Sequence, residues 1–362
     1  MLFEPISLCG LNIDNRFVRS ATHEWLAEED GTPTSSIGDL YEELAKNDVG
    51  LIITGYSYVN IRGKSADKQQ AIYSDRFIQP YREITARIHK YKSKIMLQIV
   101  HGGRQSLITS ENTSALAPSR VPDSTSTNTL LEMTEDEIYQ TIDDFALAAG
   151  RASKAGFDGV QLHCAHGFLL SNFLSPYTNR RNDQWGRSTE NRTRIVTEII
   201  ERIHEDIGKK YPIMIKLNAT DGFDPSKVSN SLDMPECIEI AKELEKAGAC
   251  AIEVSGGIFE AGDIMSQPHI NSKDREAYFR RYSRAIKDEV NIPIILVGGI
   301  RSLTIMNEIL HKGYADMISM SRPFIKEPDL VKKLKYHDQK SAQCISCNLC
   351  FDDTGIKCNC EI

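Results

Sequence analysis

Short apolar runs alternate with amphipathic stretches over almost the whole chain. Runs such as residues 50–54 and 292–297 are apolar at nearly every position, which is typical of strands covered on both faces of a parallel sheet. Between these runs, apolar residues recur with the spacing of a helix face. The pattern predicts strands at 17–22, 49–59, 95–101, 159–166, 212–219, 251–257, 293–300 and 317–324, and helices at 37–47, 76–91, 134–155, 188–207, 234–247, 272–290, 303–312 and 328–336.

This order predicts an α/β fold, a single (β/α)8 TIM barrel, because strands that are each followed by a helix close into a barrel. An open doubly wound sheet is disfavoured, since no GxGxxG turn follows an early strand. We assign residues 1–338 to the barrel and 339–362 to a short Cys-rich C-terminal tail. Long polar stretches follow several strands and predict extended βα loops on the C-terminal face, where barrel active sites lie. They lie at 60–75, 102–133, 167–187, 220–233 and 258–271.

The composition is that of an ordinary globular protein, with 41% hydrophobic and 26% charged residues in a chain of 362. The net charge of −7 argues against a nucleic-acid partner. The first residues lack the pattern of a signal peptide, and no apolar window is long enough to cross a membrane. We therefore expect a cytoplasmic protein that acts on small molecules. The sequence leaves its oligomeric state open, including a homo-oligomer. Nine cysteines are an odd number, which indicates reduced thiols or a metal site rather than a disulfide framework.

Two histidines, His163 and His166, fall at the end of the fourth predicted strand. Side chains alternate along a regular strand, so the two would face opposite ways unless the strand ends near Cys164. If it does, both imidazoles converge at the mouth of the barrel and can bind a carbonyl or nitro oxygen. The alternative is one packed histidine and one surface histidine.

Two strand ends predict a phosphate site. Gly298 and Gly299 close the seventh strand, and Ser321 and Arg322 close the eighth. Glycine lets backbone amides approach an anion, and the loops after strands seven and eight are the recurrent phosphate site of barrels. Arg322 could add a bidentate contact. The alternative is that these glycines only form turns.

Lys216 lies within the apolar fifth strand, where an unpaired ammonium would be costly to bury. An ion pair in the barrel interior is one explanation. A catalytic role is another, and buried lysines with a lowered pKa also form Schiff bases in aldolase-like barrels.

A longer motif carries a resemblance to a known family. It runs His163-x-x-His166-Gly-Phe168-Leu, then Phe173-Leu-Ser-Pro176, then Asn179-x-Arg-x-Asp-x-Trp-Gly186, and ends with Glu-Asn-Arg at residues 190–192. This arrangement resembles the old yellow enzyme family. The resemblance extends over residues 1–322, and segments 11–22, 49–55 and 98–104 match the first three strands of that family.

The resemblance implies an FMN enzyme that takes hydride from NAD(P)H and passes it to an electron-poor acceptor, such as an activated alkene or a nitro compound. His163 and His166 would bind the acceptor oxygen, and Lys216 would stand where many relatives place an arginine beside flavin N1. The remaining flavin contacts that the resemblance implies are Ser20, Ala21, Thr22, Tyr56, Gln98, Gly298, Gly299, Ser321 and Arg322.

The chain departs from the family at substrate-facing positions. Phe168 stands where many members have the tyrosine that protonates the substrate carbon, and His23 and Trp25 replace a cysteine and a tyrosine of some relatives. The proton could come from another group, with Tyr56, Tyr58, Tyr177 and water as candidates. A flavin-binding electron-transfer module without ene-reductase activity is a further alternative.

The tail reads Cys344-x2-Cys347-x2-Cys350-x7-Cys358-x-Cys360. Clustered thiolates of this kind hold zinc or an iron–sulfur cluster, and we take Cys344, Cys347, Cys350 and Cys358 as candidate ligands. The segment resembles the cluster-binding part of 2,4-dienoyl-CoA reductase and trimethylamine dehydrogenase. It differs by having two residues, not three, between its second and third cysteines. The alternative is a set of free thiols.

Overall fold

The computed structural model describes residues 1–108, 113–122, 124 and 126–360, so parts of the predicted loop 102–133 and the last two residues of the tail lie outside the described residues. The strands are β1 Ile6–Leu8, β2 Leu11–Ile13, β3 Phe17–Arg19, β4 Leu51–Ile53, β5 Ser57–Tyr58, β6 Lys94–Val100, β7 Ala115–Ala117, β8 Leu130–Glu132, β9 Gly159–Cys164, β10 Ile213–Asn218, β11 Ala251–Ser255, β12 Ile294–Leu296 and β13 Met317–Met320. The helices are α1 Ser35–Lys46, α2 Ile78–Ile88, α3 Glu135–Lys154, α4 Leu169–Leu174, α5 Thr189–Ile207, α6 Met234–Ala247, α7 Arg280–Lys287, α8 Leu303–His311, α9 Arg322–Lys326 and α10 Leu330–Lys335.

Eight of the strands form a closed parallel barrel, which confirms the predicted fold class. The hydrogen-bonded order is β4-β3-β13-β12-β11-β10-β9-β6, and β4 pairs with β6 to close the ring. The main helices follow their strands, and α3 begins with a full capping box between Thr134 and Glu137. Because all eight strands run in parallel, their carboxyl ends meet at one face.

The barrel interior changes from apolar to polar along its axis. Near the amino ends of the strands, Val18, Met96 and Met214 belong to one buried apolar cluster. Two residues further along the same strands lie Ser20, Gln98 and Lys216. Since side chains on one face of a strand recur every second residue, these polar groups form the next layer above the apolar floor.

A β-hairpin of β1 and β2 covers the amino-terminal end of the barrel. Leu8 and Ile13 of this hairpin are fully buried against the apolar floor. A disulfide joins Cys9, between the two hairpin strands, to Cys250, just before β11. The sequence favoured reduced thiols or a metal site over a disulfide framework. That expectation is wrong for this pair, because folding brings together two residues 241 positions apart. The other seven cysteines are free thiols.

Several predicted element boundaries are also wrong. The predicted strand 317–324 ends at Met320, because helix α9 starts at Arg322 with a proline in its first turn. The predicted helix 272–290 is reduced to α7, and the positive φ of Ala277 (55°) interrupts any helix before it. The predicted strand 49–59 breaks after Ile53, where the amide of Gly55 donates to the Glu24 carboxylate instead of to a neighbouring strand.

Within the described part of the chain, no helix combines the length and the apolarity that crossing a membrane would require.

The disulfide predicts a measurable stabilisation. Closing a loop of 241 residues restricts the unfolded chain, and native disulfides typically contribute about 2–4 kcal/mol. For a chain of this length that corresponds to a fall in Tm of roughly 4 °C on reduction. Calorimetry with and without a phosphine reductant measures this shift.

The double variant Cys9→Ser/Cys250→Ser is the control. It should melt at the lower temperature with or without reductant. An equal response of wild type and variant to the reductant would assign the effect to other thiols and contradict the prediction.

Candidate active site

A large cleft with a volume of about 430 Å³ opens at the carboxyl ends of the barrel strands. Its walls come from strand ends, from the βα loops and from the C-terminal tail. All fifteen of the candidate cofactor and substrate residues line it. They are Ser20, Ala21, Thr22, His23, Trp25, Tyr56, Gln98, His163, His166, Phe168, Lys216, Gly298, Gly299, Ser321 and Arg322.

One end of the cleft is formed by the loops after β12 and β13. Gly298 and Gly299 both have positive φ, at 129° and 68°. A Cβ on Gly299 would lie 2.9 Å from the ring of Tyr278, so only glycine fits this close approach. Within the described part of the chain, the backbone amides of Gly299 and Arg322 have no protein acceptor. Two free amides and a guanidinium make this end suitable for an anion.

Arg322 has a second function at this end. Its Nη1 atom donates to Asn348 Oδ1 at 2.6 Å and to the carbonyl of Gln267 at 3.0 Å. Arg322 therefore ties the loop after β11 and the tail to the barrel. Its Nε and Nη2 atoms have no protein acceptor among the residues that the structure describes.

The floor of the cleft contains a buried ion pair. Lys216 Nζ lies 3.6 Å from Glu253 Oε1, and the two side chains are 5% and 0% exposed. Ser20 connects them, since Lys216 donates to its hydroxyl at 2.8 Å and that hydroxyl donates to Glu253 at 2.6 Å. Burial lowers the pKa of Lys216, and the Glu253 carboxylate opposes this. Burial also acts to raise the pKa of Glu253, but Lys216 and three hydrogen bonds outweigh it and hold that pKa below its usual value.

Glu253 extends this pair into a network across the barrel. It accepts from Ser319 at 2.7 Å and from Gln161 at 2.9 Å. Gln161 in turn accepts from Gln98 at 2.7 Å. Glu253 and Gln161 were missed by the sequence reasoning, although a carboxylate within the apolar run of β11 is the same signal that singled out Lys216.

The two histidines converge above this floor. Strand β9 ends at Cys164, and His166 follows with a φ of 64°. This left-handed turn brings the imidazole rings of His163 and His166 to 5.1 Å between centroids. His166 Nε2 lies 2.7 Å from Ser255 Oγ. Burial lowers the pKa of both imidazoles well below the usual value, and Lys216 adds to this. Both rings are therefore neutral near pH 7.

An aromatic wall faces the imidazoles. Phe168 lies 4.7 Å from His163, and Tyr56 lies 5.3 Å from Phe168, between ring centroids. On the other side of Tyr56, His23 lies 5.2 Å away and is itself 4.2 Å from Trp25. The positive φ of Trp25 (53°) is unusual for a bulky residue. It turns this side chain towards the cleft.

A buried carboxylate fixes the segment that carries Tyr56. Glu24 pairs with Arg19 at 2.8 Å and accepts from the amide of Gly55 at 2.9 Å and from Tyr41 at 2.6 Å. A Cβ on Gly55 would overlap this carboxylate. The chain therefore has glycine directly before Tyr56.

The four candidate metal ligands line a separate, smaller cavity of about 20 Å³ next to the cleft. Cys344, Cys347, Cys350 and Cys358 all line it, together with Cys360. Ser346 and Asn348 have positive φ, at 58° and 64°, which turns the chain between the cysteines. Among the described residues, no group of three or more His, Cys, Asp or Glu side chains is arranged to hold a single metal ion. Arg322 lines both this cavity and the cleft.

Two of the alternative proton donors lie elsewhere. Tyr58 donates to the carbonyl of Asp30 at 3.2 Å, and Tyr177 packs against Phe223 at 4.7 Å. Neither residue lines the cleft.

A parallel barrel with free backbone amides and an arginine after its last strands, and a histidine pair at its mouth, has the arrangement of a cofactor-binding barrel enzyme. The match to a protein family is direct. Residues 1–341 match the NADH:flavin oxidoreductase / NADH oxidase family, and the chain belongs to this family.

The relatives include proteins of two lengths. The chain is 38% identical over 352 residues to an NADH oxidase of Thermoanaerobacter brockii, covering 96% of this chain and 53% of that protein. It is 33% identical to an NADPH dehydrogenase of Geobacillus sp. (strain WCH70), covering 91% of this chain and 92% of that protein. The chain thus spans about half the length of the first relative and nearly all of the second. The solved structure of an old yellow enzyme homologue from Zymomonas mobilis is similar, with a TM-score of 0.80 and 27% identity over 95% of each chain.

The ion pair on the floor predicts a strong coupling between its partners. Lys216→Met leaves the Glu253 carboxylate buried without its cation, which should cost about 3–5 kcal/mol in the free energy of unfolding. The double variant Lys216→Met/Glu253→Gln removes both charges and should regain most of this loss. Denaturant unfolding of the apoprotein measures both. Additive losses in the double variant would show that the two groups do not stabilise each other.

Proposed function

We propose that the chain is an FMN-dependent oxidoreductase that takes hydride from a nicotinamide nucleotide and passes it to an electron-poor acceptor, such as an activated alkene or a nitro compound. It would work as a cytoplasmic enzyme on small molecules, with residues 1–338 as the flavin barrel and 339–362 as a tail. The proposal agrees with the family and with the names of its relatives, one called an NADH oxidase and another an NADPH dehydrogenase.

One observation carries the proposal: a single cleft combines groups suited to an anion, a floor with a buried ion pair, and a pair of neutral imidazoles. Gly299 and Arg322 lie at one end, Lys216 at the floor, and His163 with His166 at the mouth. A flavin mononucleotide has a phosphate, a polar pyrimidine edge and a redox-active centre, and each part has a matching set of groups here.

The residues present fit FMN. Free backbone amides, with the guanidinium of Arg322, would hold its phosphate. Ser20, Ala21, Thr22 and the backbone at Tyr56 would line its ring, with Gln98 at the pyrimidine edge. Lys216 would place its ammonium beside N1 and C2. When bound, FMN supplies a two-electron carrier that accepts and returns hydride at one position.

The imidazoles would bind and polarise the acceptor. Because His163 and His166 are neutral, each can donate one N–H to a carbonyl or nitro oxygen without adding a charge. Ser255 next to Nε2 of His166 restricts how that ring can turn. His23, Trp25 and Phe168 would enclose the apolar part of the acceptor and exclude water from it.

The Schiff-base alternative is disfavoured by the partners of Lys216. An amine must lose its proton to attack a carbonyl. Burial lowers the pKa of Lys216, as that chemistry requires, but the Glu253 carboxylate and the hydroxyl of Ser20 oppose the loss of its proton.

We also propose that the tail binds an iron–sulfur cluster rather than zinc. Five thiols line one cavity, and four of them are the candidate ligands, yet the described residues include no group arranged for a single ion. The tail also resembles the cluster-binding segment of 2,4-dienoyl-CoA reductase and trimethylamine dehydrogenase, which favours a cluster of iron and sulfide. Cys344, Cys347, Cys350 and Cys358 would be its ligands.

Flavin binding and hydride transfer give the direct test of the function. The purified protein should be yellow, should be reduced by NADH or NADPH under anaerobic stopped-flow, and should be reoxidised by cyclohexenone or a nitroaromatic. A colourless protein that is trapped by borohydride with a carbonyl substrate would support the Schiff-base alternative instead. Reduction followed by reoxidation with ferricyanide alone would support the electron-transfer module.

Metal analysis tests the tail. The anaerobically purified protein should contain iron and acid-labile sulfide in equal amounts, and Cys347→Ser should lose both because it removes a ligand. Cys237→Ala, which changes a buried cysteine outside the tail, is the matched control and should retain them. Zinc without iron, or no metal in the wild type, would contradict the proposed cluster.

A further inference from the structure

Phe168 leaves the acceptor site without an obvious acid. Its ring lies 4.7 Å from that of His163 and lines the cleft, but a phenyl group has no proton to give. An alkene that receives hydride at one carbon must still gain a proton at the other carbon. Some other group must supply this proton.

The neighbouring histidine is not suited to this function. His23 Nε2 lies 3.1 Å from the carbonyl of Asp67, so its ring proton is committed to that oxygen. Burial lowers the pKa of His23, which keeps the ring neutral and leaves no second proton.

Among protein groups, tyrosine hydroxyls are the remaining candidates, and among the described residues Tyr56 and Tyr278 line the cleft. Tyr278 packs beside Gly298 and Gly299, at the anion end, and donates to the carbonyl of Met265 at 3.3 Å. It therefore lies at the anion end of the cleft, and its hydroxyl already has an acceptor.

Tyr56 has the required position. Its ring lies 5.3 Å from Phe168 and 6.2 Å from His163, between centroids. Its backbone is fixed, since Gln69 donates to its carbonyl at 3.2 Å and Glu24 holds the preceding amide. Within the described part of the chain, its hydroxyl has no protein hydrogen-bond partner. A half-buried, uncommitted phenol therefore stands next to the position where the family has its acid.

We propose that Tyr56 is the general acid of this enzyme and protonates the acceptor carbon in place of a tyrosine at position 168. This inference rests on the proposed function, which supplies the hydride. Hydride adds one hydrogen and two electrons to the first carbon, and the alkene π pair moves to the second carbon. The O–H bond of Tyr56 then breaks, its proton forms the new C–H bond, and its electron pair remains on the phenolate oxygen. Water at the open mouth returns the proton to Tyr56.

The environment of Tyr56 keeps this proton in place between turnovers. Burial raises the pKa of its hydroxyl, and the Glu24 carboxylate raises it further. Tyr56 is thus protonated over the whole neutral range, and its state does not change with modest changes of pH.

The test measures each step of turnover separately in the Tyr56→Phe variant. Reoxidation by cyclohexenone should slow by about 10²-fold or more, because general acid catalysis is typically worth this much. Reduction by NADH should be unchanged, and so should reoxidation by ferricyanide, which takes electrons and needs no C–H bond. The Kd of a phenol ligand, read from flavin absorbance, should also be unchanged, since the imidazoles hold it.

Two further variants complete the experiment. Tyr56→Phe/Phe168→Tyr should recover the cyclohexenone rate, because it restores a phenol beside His163. Tyr58→Phe, which removes a hydroxyl outside the cleft, should behave as the wild type. The proposal is overturned if Tyr56→Phe keeps the cyclohexenone rate, or if it loses the ferricyanide rate equally. Failure of NADH to reduce the wild type would instead refute the proposed function.

Discussion

The site depends on one layer of side chains that the parallel register places at a common height. Lys216 is paired in register with Glu253 on one side and with His163 on the other. Side chains in register on adjacent parallel strands point to the same face, so an ammonium, a carboxylate and an imidazole all face the barrel interior. The barrel strands set the spacing of these three groups, and the βα loops enclose the space above them.

Pairing changes what Lys216 contributes. A lone buried cation would carry a large desolvation cost and would act at long range. Together with Glu253 the pair has no net charge, so its effect on a ligand above it depends on direction and short distance. Ser20 strengthens this directionality, because its hydroxyl accepts from Lys216 and donates to Glu253. The floor therefore acts through oriented hydrogen-bond donors more than through an excess of positive charge.

Much of the fold and most of the cleft could be predicted from local pattern, because strand order and parallel direction decide which residues meet. Lys216 was found because a charge interrupts an apolar strand, and Glu253 carries the same signal. The Cys9–Cys250 disulfide could not be predicted in this way, since no local pattern links residues on a hairpin and a distant loop. From the sequence, the two histidines converge only if the strand ends near Cys164. The positive φ of His166 could not be predicted, because residues other than glycine adopt this conformation when tertiary contacts require it.

The cleft also crosses the boundary that the sequence pattern draws between barrel and tail. Ser346 and Phe351 of the tail line the same cleft as His163 and Lys216, and Asn348 accepts from Arg322. A barrel that ended at residue 338 would lose part of this wall and one fixed contact of Arg322. The tail is thus part of the site through packing and hydrogen bonding alone. This holds whether or not its thiols bind a cluster, because these contacts come from the residues between the cysteines.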